Sequence, residues 1–344
     1  MIPDISKLLR PHLKNLKPYS SARDEFAGEA QIFMDANENP FATGYNRYPD
    51  PHQKKLKQKI ASIQHVSEDQ LFIGHGSDEV IDLLLRAFCV PTIDEVIIAE
   101  PTYGMYQVSA RINDIKVKPV KLTASFDLDK ECILSPISAH TKLIFLCSPN
   151  NPTGNILNPD TIHTLLKNFN GLVLIDEAYI DFASSPSWVT ELGRYKNLVV
   201  LQTLSKAWGL AGLRLGMCFA DSTIISVLNK IKLPYNISEP QQQAALKALH
   251  DVKKKEREVK KILAQRQWLT EKMNDIKIIN HIYPSEANFL LVKMTDARAV
   301  YQKLLAGGIV VRDRSKVVLC QNCLRITVGT TEENEALITL LKKL

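Results

Sequence analysis

Between about residue 70 and residue 220, short apolar runs alternate with segments of helical periodicity. "QLFIG" (70–74) leads into "SDEVIDLLLRAF" (77–88), whose apolar residues recur every three or four positions. "DEVIIAE" (94–100) leads into "YGMYQVSARIN" (103–113). "TKLIFLCS" (141–148) runs through a turn-rich loop into "NPDTIHTLLKNF" (158–169). "GLVLIDEA" (171–178), "NLVVLQTLS" (197–205) and "LRLGMCFA" (213–220) add three further strands. Several of these runs are nearly all apolar, as parallel strands covered on both faces should be. Strands alternating with helices predict an α/β domain around a mainly parallel sheet.

A long helical stretch follows, from about Pro240 to Asp275. Beyond it, "ANFLLVKM", "GIVVRDR" and "CLRITVG" read as strands, and "DARAVYQKLLAGG" and "TEENEALITLLKKL" as helices. These predict a smaller α+β C-terminal domain. The expected division is a large domain over 41–250, a small domain over 251–344, and an N-terminal segment, 1–40, that joins the small domain. The first 40 residues are irregular, polar and proline-containing.

Composition narrows the field. The 344 residues suit one large domain with a satellite. No apolar run is long enough to span a membrane, and the N-terminus lacks the apolar core of a secretory signal, so a cytoplasmic protein is expected. The net charge of +6 is modest, and the basic run at 251–261 alternates with acids as a solvated helix face does. Neither a basic patch nor a nucleic-acid motif is present. Of the six cysteines, Cys320 and Cys323 have C-x-x-C spacing, but no second pair or nearby histidines follow as a zinc site would need. "VVLCQNCLRITV" (317–328) reads instead as strand, turn, strand with incidental thiols, and no metal is expected.

Ligands in open α/β sheets bind outside the carboxyl ends of the strands. There the sequence offers Gly74-His75-Gly76-Ser77-Asp78 before a helix, a possible anion cradle or simply an N-cap by Ser77. It offers Tyr103, whose ring could stack on a flat ligand or merely pack, and Asn151 within "SPNNPTG" (148–154). Asp176 closes a buried apolar strand, with Tyr179 beyond it, and an unpaired buried carboxylate is costly. The last strand end is "TLSKAWGLAGLRLG" (203–216), with Thr203, Ser205, Lys206 and Arg214. A lone lysine in such an apolar run either snorkels or, if buried, becomes a usable nucleophile. Each signal is weak alone. Together they supply what pyridoxal phosphate needs: a phosphate cradle, a ring stack, an acid for the pyridinium nitrogen and a lysine for the Schiff base.

"SPNNPTG", "DEAY" and "SKAWGLAGLRLG", in this order, resemble the fold-type I aminotransferases. "RYPDP" (47–51), "GSDE" (76–79), "PTYGMY" (101–106), "LRITVGTTEEN" (324–334) and "KPYSSARDE" (17–25) narrow the resemblance to the histidinol-phosphate aminotransferase family. The resemblance implies that Lys206 binds pyridoxal phosphate and shuttles the proton, and that Asp176 pairs with the ring nitrogen. It gives Tyr179 and Asn151 to the phenolic oxygen, Tyr103 to the ring face, and Ser77, Asp78, Thr203, Ser205 and Arg214 to the phosphate. Tyr48 would reach that phosphate from the other subunit of a homodimer. Arg312 and Arg325 would hold the anionic end of the substrate, with help from Tyr19.

The implied reaction converts L-histidinol phosphate and 2-oxoglutarate to imidazole acetol phosphate and glutamate. Alternatives on the same scaffold are a broad aromatic amino acid aminotransferase and a threonine-phosphate decarboxylase. His75 and Trp208 depart from the family pattern without touching a chemical role.

Overall fold

The computed structural model describes residues 4–21 and 30–344; the second half of "KPYSSARDE", 22–25, lies outside them. Seven strands form the large sheet: β1 (Leu71–His75), β2 (Glu95–Glu100), β3 (Lys116–Lys121), β4 (Thr141–Cys147), β5 (Leu172–Asp176), β6 (Leu198–Thr203) and β7 (Leu215–Ala220). Their order is β1-β7-β6-β5-β4-β2-β3, and only β7 runs against the rest.

Side chains alternate between the two faces of a strand. Along β4, Ile144 and Leu146 join one buried layer, while Leu143, Phe145 and Cys147 join the other. The helices Lys54–Gln64 and Pro159–Asn168 cover the first face through Leu56, Ile60, Ile162 and Leu165. Gly76–Phe88, Met105–Ile112 and Ser222–Ile231 cover the second through Leu84, Tyr106 and Ile225. This double cover explains why the middles of the central strands are apolar at successive positions.

The antiparallel placement of β7 matters for function. Its first residues pair with the last residues of β1 and β6, His75 with Leu215 and Thr203 with Gly216. Arg214, just before β7, therefore arrives at the carboxyl end of the sheet.

A second sheet, ordered β10-β11-β9-β8, contains β8 (Ile279–Ile282), β9 (Phe289–Met294), β10 (Arg312–Asp313) and β11 (Cys323–Thr327). One face, with Leu290, Val292, Leu324 and Ile326, packs on the helices Val252–Asn274, Ala297–Ala306 and Thr331–Leu341. The other carries Leu291 and Cys323 into the core of the large domain. Arg325 lies between Cys323 and Thr327 on that second face.

Four expectations need correction. The stretch 240–275 is two helices, Glu239–Leu249 and Val252–Asn274, because the Asp251 side chain accepts from Lys254 N–H and starts a new one. Val317–Cys320 is a chain of turns, and the strand that pairs with β11 is β10. Residues 4–16 lie against the large domain instead of the small one: Ile5 enters its core, Arg10 N–H donates to Ala87, and Lys230 donates to the Leu13 carbonyl. β3, "KVKPVK", was not expected, because its lysines and proline hide a strand signal while suiting an edge.

Candidate active site

The carboxyl ends of β1, β4, β5 and β6 open onto one cavity of about 610 Å³, which the second sheet closes from the opposite side. Its walls include Ser77, Asp78, Tyr103, Asn151, Asp176, Tyr179, Thr203, Ser205, Lys206, Arg214, Arg312 and Arg325. Twelve residues drawn from distant parts of the chain thus converge.

The helix Gly76–Phe88 starts at the cavity without a side-chain cap; its N-cap position is His75, so Ser77 lies within the first turn. The first N–H groups of an uncapped helix form an anion site. Gly76 has φ +76°, and a Cβ there would come within 2.8 Å of the Arg214 guanidinium. A Cβ on Gly216 would collide with the Ser77 nitrogen. The cradle is therefore bare backbone flanked by Arg214, whose Nη2 is 3.9 Å from Asp78. Thr203 Oγ accepts from Ser205 N–H at 3.1 Å and donates to the Leu215 carbonyl at 3.1 Å.

Asp176 is 3% exposed. Burial pushes its carboxyl above the ordinary value, against the opposing pull of a 2.6 Å hydrogen bond from the Tyr106 hydroxyl and one from Ala178 N–H. Lys206 is not sealed in the core; it faces the cavity, with its ammonium 5.5 Å from the Tyr179 ring centroid. Desolvation lowers its pKa first, and the neighbouring Arg325 lowers it further. A raised acid and a lowered amine in one cleft mark a site built for chemistry.

Asn151 accepts a short hydrogen bond from Arg325. With its oxygen engaged, the amide N–H groups are the ones left to donate. Tyr103 donates to Asp78 at 3.2 Å. Its ring meets Tyr106 edge-on at 5.5 Å.

Two expected residues lie elsewhere in the chain. Tyr19 is 74% exposed and lines a groove with Pro51 and Lys230. Tyr48 is 52% exposed, stacks on Tyr235 at 4.5 Å, and borders a separate cavity walled by residues 37–49. Two residues that the sequence reading passed over belong to the site. Tyr106 sits three positions beyond Tyr103, one helical turn away. Arg314 lines the cavity and is two positions beyond Arg312, the spacing that shares a strand face. His75 and Trp208 stay outside: His75 lies near Gln241, and Lys255 covers the Trp208 ring at 5.4 Å. Cys320 and Cys323 are buried free thiols, which burial pushes up to about 12 and about 11. Among the described residues no cluster could hold a metal ion.

The profile of the aminotransferase class I and II family matches residues 33–341. The chain belongs to this family. It is similar to the histidinol-phosphate aminotransferase of Flavobacterium psychrophilum, 53% identical over 343 residues and 99% of each chain. It is 52% identical to that of Parabacteroides distasonis over 341 residues, again 99% of each. Its fold is that of a histidinol-phosphate aminotransferase from Sinorhizobium meliloti solved with pyridoxal-5'-phosphate, with a TM-score of 0.80 at 24% identity, covering 88% of this chain and 84% of the other. As expected, the fold is the aminotransferase one, a large domain on a mainly parallel sheet with a smaller domain beside it. No helix of the described residues is long and apolar enough to cross a membrane.

Proposed function

We propose that this aminotransferase uses pyridoxal phosphate to convert L-histidinol phosphate and 2-oxoglutarate to imidazole acetol phosphate and glutamate. One observation carries the reading: a lysine, a buried aspartate, an uncapped helix start and unpaired arginines share one cavity. The residues present fit the cofactor. A side chain at position 76 would crowd Arg214, so the helix start presents bare backbone N–H groups, and these donors suit a phosphate. Relatives at about half identity over the whole chain are histidinol-phosphate aminotransferases, which favours this reaction over the aromatic transaminase and the decarboxylase.

The cofactor supplies an aldehyde for amines and a ring that accepts the electron pair left when Cα loses its proton. The chain supplies the rest. Lys206, its amine already shifted toward the neutral form, would hold the cofactor through its aldehyde and supply the group that moves the proton at Cα. Asp176 keeps the ring nitrogen protonated. Its burial cost is offset once a cation stands beside it. Asn151 and Tyr179 donate to the ring oxygen, and Tyr103 lies against the ring. Ser77, Asp78, Thr203, Ser205 and Arg214 hold the phosphate. Arg312 and Arg325 hold the anionic end of either substrate. The small domain over 251–344 brings these arginines to the cofactor domain over 41–250.

Histidinol phosphate added alone to the cofactor-loaded protein tests this reading. Rapid conversion of the cofactor absorbance to the pyridoxamine form is the expected result. An unchanged spectrum rejects the substrate, and release of carbon dioxide from a phosphorylated amino acid rejects the reaction class.

A homodimer with shared sites belongs to the same proposal. Several apolar and aromatic side chains between residues 19 and 48 are exposed: Tyr19, Ile32, Met34, Phe41, Tyr45 and Tyr48. Burial of these side chains against a second copy would suit an interface, and a two-fold dimer would let each Tyr48 serve the other site. Mixing Tyr48→Ala with Lys206→Ala chains should restore activity through hybrids with one intact site. Verified hybrids without activity would exclude sharing. The substrates are dissolved metabolites, and the cytoplasm is the proposed compartment.

A further inference from the structure

The rim of the cavity on the small-domain side carries three arginines. Arg312 and Arg325 are direct cross-strand partners between β10 and β11. The chain stays paired one residue further, where Arg314 N–H donates to the Cys323 carbonyl at 2.9 Å. Strand alternation then sets Arg314 on the same face as Arg312, and all three line the cavity. Asp313, between them, falls on the opposite face and accepts from Ser315 N–H at 2.8 Å.

No carboxylate of the described residues forms a salt bridge with Arg312, Arg314 or Arg325. Arg325 donates to the neutral Asn151 and stacks over Phe289 at 5.3 Å. The Nε of Arg314 is buried and has no hydrogen-bond partner. Burial first, then Arg325 and Arg312, lower the pKa of Arg314. Three guanidinium groups gathered without a paired carboxylate among the described residues repel one another, and an orphaned buried donor adds to the cost. An anion in the cavity would relieve both.

We propose that Arg314 is a third anion-binding residue and makes this end of the cavity selective for a phosphate monoester dianion over a carboxylate. The proposal rests on the transaminase reading above and deepens it. A carboxylate offers two oxygens and one charge, which Arg325 with Arg312 can satisfy. A phosphate monoester offers three terminal oxygens and nearly two charges, and it has an oxygen left for a third fork. The same cavity could then accept glutamate through two arginines and the phosphorylated donor through three. Amines that carry no anionic group would leave all three charges unmatched, which is how a polar site rejects an analogue.

The test uses cofactor-loaded wild type, Arg314→Gln and Arg314→Lys. Calorimetry measures affinity for inorganic phosphate, and stopped-flow absorbance measures each half-reaction, with histidinol phosphate or with glutamate. Arg314→Gln should weaken phosphate binding at least about tenfold, and the ratio of the histidinol phosphate rate to the glutamate rate should fall by a similar factor. Arg314→Lys should recover part of both losses, because a point charge remains without the fork. Phosphate affinity within about twofold of wild type in Arg314→Gln overturns the proposal. So does an equal loss in both half-reactions, which a merely structural role would produce. Should wild type bind phosphate through Arg314 yet leave histidinol phosphate unconverted, the anion site stands and the substrate reading falls.

Discussion

The two ends of the large sheet treat buried acids in opposite ways. At the amino end, Glu95 opens β2 and is fully served: Lys118 lies 2.5 Å away, Ser138 donates at 2.7 Å and Thr141 at 2.8 Å. Burial alone would raise its pKa, yet these donors pull it down to about 2. At the carboxyl end, Asp176 has Tyr106 and one backbone N–H, and burial prevails in the upward direction. The nearby cations, Lys206 and Arg325, are likewise shifted toward their neutral forms. Both ends are well ordered by the same strands. The difference is that one end is electrostatically complete, while the other is complete only with a ligand.

The sharpest way to break this contrast is Lys206→Ala. The fold should survive, and transamination should fall by about 10⁴-fold or more, since one group both captures the cofactor and moves the proton. Single-turnover absorbance measures the loss, and borohydride labelling of a different lysine in wild type would reassign the role. Asp176→Asn should retain cofactor and lose roughly 100-fold or more in rate, because a fixed charge aimed at the reacting system is gone. Near-normal turnover would place Asp176 with the merely structural acids.

Tyr106→Phe makes the carboxyl end still poorer in donors. The Asp176 pKa should rise further, because the lost hydrogen bond lowers it. The rate should drop about tenfold, the value of one hydrogen bond to a charged group. The pH dependence of the cofactor absorbance should shift with it, which a packing defect alone would not produce. Glu95→Gln addresses the complete end. Turnover should hold, while stability at neutral pH falls by about 1–3 kcal/mol. The folded pKa of Glu95 is below its ordinary 4.5, so its stabilisation is present above 4.5 and disappears as pH falls toward about 2. Wild-type and Glu95→Gln unfolding curves should therefore converge in acid.

The alternation of apolar runs and helical periods already contained the large domain, because buried parallel strands leave an unmistakable apolar record. The strand-end rule, joined to the family resemblance, reached twelve of the cavity's residues. β3 was illegible because an edge strand may be polar, and β10 because two residues carry no periodicity. Tyr106 was hidden by its aromatic character, which reads as core; it is core, stacked on Phe145 at 5.1 Å, with only its hydroxyl facing Asp176. Arg314 was hidden for a different reason. Its place depends on the pairing of β10 with β11, a relation between distant residues that no local pattern states. Tyr19 and Tyr48 are a third case, since each lines a different cavity of the described residues.

The connection between β10 and β11 is wound from three successive tight turns, closed by Val317 to Arg314, Cys320 to Val317 and Cys323 to Cys320, with Leu319 and Asn322 in left-handed backbone. Surface loops ordinarily accept insertions and deletions. This one counts residues. A gain or loss of one residue between 315 and 322 would slip the register, and a one-residue slip carries every side chain to the opposite face. Arg312 and Arg314 would turn from the cavity toward the apolar interior of the small domain, while Arg325 keeps its place through the pairing of β11 with β9. Composition in this stretch is constrained where Cys320 is buried in the core with Val317 and Leu319 packed against it, and its length is constrained throughout.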